Sequence, residues 1–252
     1  MFDYKHPLGN YKISIVKFFA KTFSNIGLFF LSFLFKIDKN KNEIIISSAF
    51  YAPWKDDKNF YDFYQKIKDC TLLDSKRLYT LWFFSKSLNN LNSNILDIGC
   101  LKGGAGYAMA KANKKGRTYL IDTFEGLVEN ENYHRKDHFV FKDFNFVKSK
   151  IKSLGLKNTR VIKANFPKNI TKSFKGKKFK LCHLDVNTYK ATKLSFEFIR
   201  KKIVKNGVII FDDYGIHSTI GVKKYVDKIA KKYRNEFSFI YNYMGQCILV
   251  KK

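Results

Sequence analysis

The chain has 252 residues, of which 48 are lysine or arginine and 21 are aspartate or glutamate, so its formal net charge is +27. A hydrophobic content of 45% with 17% aromatic residues excludes a disordered chain, and the length fits one α/β domain with additions. The four cysteines are scattered without a CxxC pair, which argues against a zinc site or a disulfide framework and favours a reducing, cytoplasmic setting.

The N-terminal segment is strongly apolar from residue 13 to residue 35, although Lys17 and Lys21 interrupt it. Its uncharged part, residues 22–35, is shorter than the roughly 20 residues that a membrane-spanning helix needs. No small-residue cleavage site follows, so we do not expect a signal peptide. Two interpretations remain open. We favour a helix packed on the domain or on a dimer partner over a helix lying at a membrane surface.

We assign residues 1–71 to this N-terminal helical extension and residues 72–252 to the main domain. Residues 72–91 have helix-like apolar spacing, and from residue 94 onward strand patterns alternate with helix patterns. The predicted strands are 94–98, 118–122, 159–163, 180–185, 207–212, 236–241 and 246–250, and the predicted helices are 104–113, 144–154, 189–204 and 219–233. This alternation predicts an α/β fold with a doubly wound, mostly parallel seven-stranded sheet, closed by an antiparallel C-terminal hairpin.

A glycine-rich turn follows the first predicted strand, in the stretch ILDIGCLKGGAGYAMA at residues 95–110. Gly99, Gly103 and Gly104 permit a tight turn and a close approach of a ligand to the backbone. The spacing differs from GxGxxG, and Asp97 at the strand end suits a cationic ligand, such as the amino group of S-adenosylmethionine. Asp122 ends the second strand, where a carboxylate would accept hydrogen bonds from ribose hydroxyls.

Two adjacent carboxylates, Asp212 and Asp213, end the buried strand in NGVIIFDDYG at residues 206–215. Asp185 ends the preceding predicted strand, and neighbouring parallel strands end at the same edge of a sheet. Three converging carboxylates need a counter-ion, and oxygen ligands of this kind suit Mg²⁺. A lysine or arginine of this basic chain is the alternative counter-ion.

Three stretches together carry a family resemblance: DIGCLKGGAGYAMA, IDTFEGL, and HLDVNTYKAT with NGVIIFDDYG. They resemble the class I S-adenosylmethionine-dependent methyltransferases and, more narrowly, the macrocin O-methyltransferase family of sugar methyltransferases. The resemblance covers about residues 72–250. The family pattern His-x-Asp-Gly-Asp-x-Tyr reads HLDVNTY here, so the sequence departs from the pattern at Asn187, which replaces the second acid.

The resemblance implies a site that binds S-adenosylmethionine and Mg²⁺. The expected cofactor-binding residues are Asp97, Gly99, Cys100, Lys102, Gly103, Gly104, Asp122, Thr123, Phe124, Asn165 and Asp185. The expected metal ligands are Asp185, Asp212 and Asp213. The candidates for a general base are His134, His138 and His217, whereas we interpret His183 as structural.

The implied reaction is methylation of a sugar hydroxyl, with a nucleotide-linked sugar of bacterial surface polysaccharide biosynthesis as the expected acceptor. The basic surplus suits such an anionic acceptor. Nucleic acid is a less favoured partner, because lysine greatly outnumbers arginine and no Arg-rich tract is present. A nucleic-acid methyltransferase and a non-catalytic scaffold of the same fold are the alternatives. We also expect a homo-oligomer and a cytoplasmic protein, with peripheral membrane contact through the N-terminal helix left open.

Overall fold

A computed structural model describes residues 10–35, 51–131 and 133–252. The chain divides into two units, residues 1–53 and residues 54–252. The first unit contributes the helix α1 (Asn10–Phe35). The predicted domain start at residue 72 lies inside the second unit, because residues 58–67 form an amphipathic helix whose Phe60, Phe63 and Ile67 are buried in the core. No helix in the described ranges is long and apolar enough to cross a membrane.

Within the described part of the second unit, seven strands form one sheet in the order β3-β2-β1-β4-β5-β7-β6. The strands β1 to β5 run parallel, and β7 pairs antiparallel with both β5 and β6. The predicted fold class is therefore confirmed. The strands are β1 (Asn94–Ile98), β2 (Thr118–Asp122), β3 (Thr159–Lys163), β4 (Phe179–Leu184), β5 (Ile203–Phe211), β6 (Phe237–Tyr241) and β7 (Cys247–Lys251).

Helices cover both faces of this sheet. They are α2 (Pro53–Asp56), α3 (Lys58–Ile67), α4 (Ser75–Ser87), α5 (Gly104–Ala112), α6 (Phe144–Ser153), α7 (Tyr189–Arg200) and α8 (Ile220–Lys232). Successive strand residues point to opposite faces. In β1, Ile95 therefore belongs to the core that α3 to α6 help to form, and Leu96 to the core that α7 and α8 cover.

The largest differences between predicted and observed element boundaries have identifiable reasons. The helix predicted over 72–91 begins at Ser75, because the Asp74 side chain caps it by accepting from the backbone N–H of Lys76 at 2.9 Å. The helix predicted over 189–204 ends at Arg200, because Ile203 already pairs with Phe179 in the sheet. The strand predicted over 207–212 accordingly begins at residue 203 and ends at residue 211.

Candidate active site

A cavity of about 300 Å³ lies at the carboxyl edge of the sheet, where open α/β sheets bind their ligands. The segments that follow β1, β2, β3, β4 and β5 line it, together with residues 70–73 and part of the loop between β2 and α6. The predicted site residues in its lining are Gly99, Cys100, Asp122, Thr123, Asn165, Asp185, Asp212, Asp213 and His134. The predicted site residues outside the lining are Asp97, Lys102, Gly103, Gly104, Phe124, His138 and His217.

The glycines of the turn after β1 bring segments of the protein close to one another. Gly99 has φ +88°, and a Cβ there would lie 1.7 Å from the carbonyl oxygen of Asp185. Gly103 has φ +92°, and a Cβ there would meet the Tyr107 ring at 2.4 Å. A Cβ on Gly104 would lie 2.6 Å from the carbonyl oxygen of Cys70. The small residues thus fit strand β1 against β4 and helix α5 against residues 70–71, whereas the sequence analysis expected them to admit a ligand.

Asp122 joins the turns that follow β1 and β2. Its Oδ2 accepts from the backbone N–H of Leu101 at 2.8 Å, and its Oδ1 accepts from the backbone N–H of Phe124 at 2.8 Å. Burial raises the pKa of this carboxyl, although the two backbone hydrogen bonds oppose the shift. Because a carboxylate oxygen has two lone pairs, each oxygen of Asp122 keeps one for a ligand in the cavity.

Asp97 is fully buried beneath the cavity and contacts a histidine. Its Oδ1 lies 2.7 Å from Nδ1 of His183, whose other ring nitrogen, Nε2, lies 3.5 Å from Oδ1 of Asp212. Burial lowers the pKa of His183, but its contacts with the two carboxylates outweigh this and raise it to about 10. His183 is therefore a buried cation between two acids near neutral pH.

Asp212 has partners within the protein on both of its oxygens. Oδ2 lies 2.5 Å from Nη1 of Arg77, and Oδ1 accepts from Nε2 of Gln246 at 2.7 Å. Burial raises the pKa of Asp212, but His183 and Arg77 bring it below its usual range. Arg77 in turn pairs with Asp74 through Nε at 3.1 Å. The counter-ion of Asp212 is therefore a basic side chain of the protein, which is the alternative to Mg²⁺ that the sequence analysis left open.

Asp185 and Asp213 have no such basic partner among the described residues. Enclosure in the cavity wall and the charges of Asp213 and Asp212 raise the pKa of Asp185 well above its usual range. Burial and Asp212 raise the pKa of Asp213 to about 6. Asn187 donates from Nδ2 to Oδ2 of Asp213 at 2.8 Å. One ligand atom from each of His183, Asp185 and Asp212 can lie within 4.8 Å of the others, so these side chains converge.

His134 is the one of the three candidate histidines that lies in the cavity lining. It is 7% exposed, and neither of its ring nitrogens makes a well-formed hydrogen bond to the described residues. Burial and the nearby His138 lower its pKa, while the backbone of Ser218 opposes this shift. His134 is therefore held mainly in the neutral form near pH 7. His217 lies outside the lining, with Nε2 at 3.4 Å from the Tyr133 hydroxyl.

Two glutamates fasten the loop that carries His134. Glu129 accepts from the Thr188 hydroxyl at 2.8 Å, and Glu131 accepts from the backbone N–H of Tyr189 at 2.8 Å. Both contacts are at the N-terminus of α7, where carboxylates are favoured by the helix dipole. A Cβ on Gly221 would overlap Oε1 of Glu131, so Gly221 leaves the space that the glutamate occupies. The sequence analysis identified neither glutamate.

The comparisons with known proteins agree with this architecture. Residues 96–214 match a family model described as a methyltransferase domain. No curated protein matches the sequence.

Three solved structures illustrate the similarity of fold. The O-methyltransferase NovP has 17% identity and a TM-score of 0.60, with 73% of this chain and 82% of NovP covered. The calicheamicin methyltransferase CalS11 has 12% identity and a TM-score of 0.57, with 81% and 99% covered. The O-methyltransferase from Bacillus cereus, solved in complex with SAH, has 15% identity and a TM-score of 0.50, with 76% and 97% covered. Residues 96–214 therefore resemble a methyltransferase domain, and the second unit shares the fold of these solved methyltransferases.

Proposed function

We propose that the chain is an S-adenosylmethionine- and Mg²⁺-dependent O-methyltransferase that acts on a sugar hydroxyl. The expected acceptor is a nucleotide-linked sugar used for bacterial surface polysaccharide. The observation that carries the proposal is the pair Asp185 and Asp213, two carboxylates in a cavity wall with no basic partner among the described residues. The resemblance to the macrocin family and the large basic surplus of the chain support the sugar and its anionic carrier.

The residues at the strand ends fit a hard divalent cation. Asp185 and Asp213 carry raised pKa values because they are enclosed and close to other acids, and a cation would remove both penalties. Their carboxylate oxygens are ligands of the kind that Mg²⁺ prefers. Asp212 is the weaker candidate, since Arg77 and His183 already neutralise it. A cation held by Asp185 and Asp213 would polarise the acceptor oxygen, and bound S-adenosylmethionine would supply an activated methyl group.

The residues of the chain itself would bind the cofactor and accept the proton. Asp122 offers its remaining lone pairs to ribose hydroxyls at the end of β2. His134 would take the proton of the acceptor hydroxyl on Nδ1 or Nε2, because both atoms are without a well-formed hydrogen bond and the ring lines the cavity. Asn187 cannot serve as a base, and its amide donates to Asp213.

Removing the Asp122 carboxylate should weaken cofactor binding. We expect Asp122→Ala to lower the affinity for S-adenosylmethionine by about 1–3 kcal/mol, because ribose hydroxyls and two backbone N–H groups would lose their acceptor. Asp143→Ala is the matched control, since Asp143 also accepts from a backbone N–H, that of Phe146 at 2.8 Å, but lies outside the cavity lining. Calorimetry that gives both variants the wild-type affinity would remove Asp122 from the binding site.

Replacing His134 should change the pH profile of turnover. The wild-type kcat should rise with pH until His134 is unprotonated and then level off, with the midpoint below the usual pKa of histidine. His134→Gln should lower kcat by about a hundredfold or more and abolish this rise. His138→Gln, on the same loop but outside the lining, should leave the plateau value of kcat unchanged and move the midpoint to higher pH, because the His138 charge that lowers the pKa of His134 is lost. An unaltered profile in His134→Gln would exclude His134 as the base.

A screen for methyl transfer tests the proposed acceptor class. Labelled S-adenosylmethionine, Mg²⁺ and a panel of nucleotide-linked sugars should give a labelled sugar product. The panel should include free sugars and an RNA transcript. Methylation of the RNA alone would contradict the proposed function.

A further inference from the structure

Helix α1 displays a broad apolar surface that the proposed reaction does not use. Nine large apolar side chains of this helix are between 38% and 82% exposed, and we call them the phenylalanine face: Ile15, Phe18, Phe19, Phe23, Ile26, Phe29, Phe30, Phe33 and Leu34. Successive residues of an α-helix are about 100° apart, so all nine positions fall within an arc of about 160°. The exposure is therefore concentrated on one side of the helix.

The remainder of the helix surface has a different character. The positions of Lys17 and Lys21 fall outside the arc, together with Ser24, Asn25, Leu28, Leu31 and Ser32, whereas the position of Lys12 near the helix start falls within it. The helix contains no acidic residue. An apolar face rich in phenylalanine opposite a face with lysines and no acids is typical of helices that lie in the headgroup region of a membrane.

Two hydroxyl groups of the helix make hydrogen bonds to its own backbone. Thr22 Oγ1 donates to the carbonyl oxygen of Phe18 at 2.9 Å, and Ser32 Oγ donates to that of Phe29 at 2.7 Å. A hydroxyl that is satisfied within the helix loses less when water is removed from around it. Thr22 falls within the arc, so its contact lowers the cost of placing the phenylalanine face against acyl chains, whereas Ser32 lies outside the arc.

The net charge of the chain favours a lipid surface over a second copy of the chain as the partner that covers the phenylalanine face. Each chain carries a formal net charge of +27, so two copies repel one another, whereas anionic lipid headgroups attract the chain. We propose that α1 lies in the surface of an anionic membrane with its phenylalanine face among the acyl chains. The proposal is independent of the methyl-transfer function.

Co-sedimentation of the full chain with lipid vesicles tests the proposal. The chain should bind vesicles of phosphatidylcholine containing a quarter phosphatidylglycerol and should bind pure phosphatidylcholine vesicles much more weakly. Phe30→Gln combined with Phe33→Gln should lower the vesicle affinity about tenfold or more, because two exposed rings on the face are lost. Lys17→Gln combined with Lys21→Gln should lower it roughly fivefold for each lysine, only on the anionic vesicles.

A matched double variant tests whether vesicle binding depends on the phenylalanine face or on the helix as a whole. Leu28→Gln combined with Leu31→Gln introduces the same two amides outside the arc, and should lower the affinity less than about threefold. A wild-type chain that stays in solution with anionic vesicles would overturn the proposal, and so would an equal loss in the two double variants. A dimer in sedimentation analysis that only the Phe30/Phe33 variant dissociates, without vesicle binding, would assign the face to a second copy of the chain.

Discussion

Asp185→Asn and Asp213→Asn should each lower kcat by at least about a hundredfold while the protein stays folded. A neutral amide is a poorer ligand than a carboxylate for a hard divalent cation, so either change should weaken the proposed Mg²⁺ site. In the metal-free protein the same changes remove like charges whose proximity raises the pKa values of both residues. The free energy of unfolding in a chelator should therefore remain equal or increase.

Two measurements check this separation of activity from stability. Turnover is measured at saturating Mg²⁺, and urea unfolding is followed in EDTA. Asp227→Asn is the control, since Asp227 pairs with Lys223 at 2.6 Å outside the cavity lining and should not affect turnover. Loss of stability in Asp185→Asn or Asp213→Asn with turnover retained would show that these acids are structural.

Asp212→Asn should have the opposite effect and destabilise the fold by about 3–5 kcal/mol. The change leaves the buried cation His183 and the partly buried cation Arg77 without the carboxylate that lies between them. Asp74→Asn is the matched control, because Asp74 also pairs with Arg77 but is half exposed. Its effect should stay within about 1 kcal/mol, since exposed ion pairs contribute little and asparagine also caps helices well.

The difference in unfolding free energy between wild type and Asp212→Asn should depend on pH, because His183 changes its charge. Its pKa rises from the usual 6.5 to about 10 in the folded chain, so the folded state binds the proton more tightly than the unfolded state. The stabilisation from protonated His183 is present in full below pH 6.5 and is lost as the pH rises through about 10. The gap in unfolding free energy between wild type and Asp212→Asn should therefore narrow between pH 7 and pH 10. A constant gap across this range would contradict a charged His183.

The carboxyl edge of the sheet was predictable because its signals are local. The bounds of β1, β2 and β3 agree with the predicted ranges, since each strand is a short run between turn residues. Parallel strands that end in Asp122, Asp185 and Asp212 must bring those residues to one edge, whatever the rest of the chain does. The pattern thus predicted the location of the cavity.

The neutralisation of Asp212 was not predictable from the sequence. Arg77 is one of 48 basic residues, and 135 positions separate it from the acid that it contacts. Nothing in its local pattern distinguishes it from other residues of α4. The sequence also could not indicate which of the three candidate histidines lines the cavity. The path of the loop between β2 and α6 brings His134 to the cavity lining. The spacing of residues in the sequence does not predict the path of this loop.

Methyl transfer with and without a chelator tests the central claim most directly. Labelled S-adenosylmethionine and the acceptor found in the screen are incubated with the protein in Mg²⁺ or in excess EDTA, and cofactor affinity is measured by calorimetry in both solutions. We predict that EDTA abolishes product formation, that added Mg²⁺ restores it, and that the affinity for S-adenosylmethionine changes little. Full product formation in excess EDTA would contradict a cation at Asp185 and Asp213.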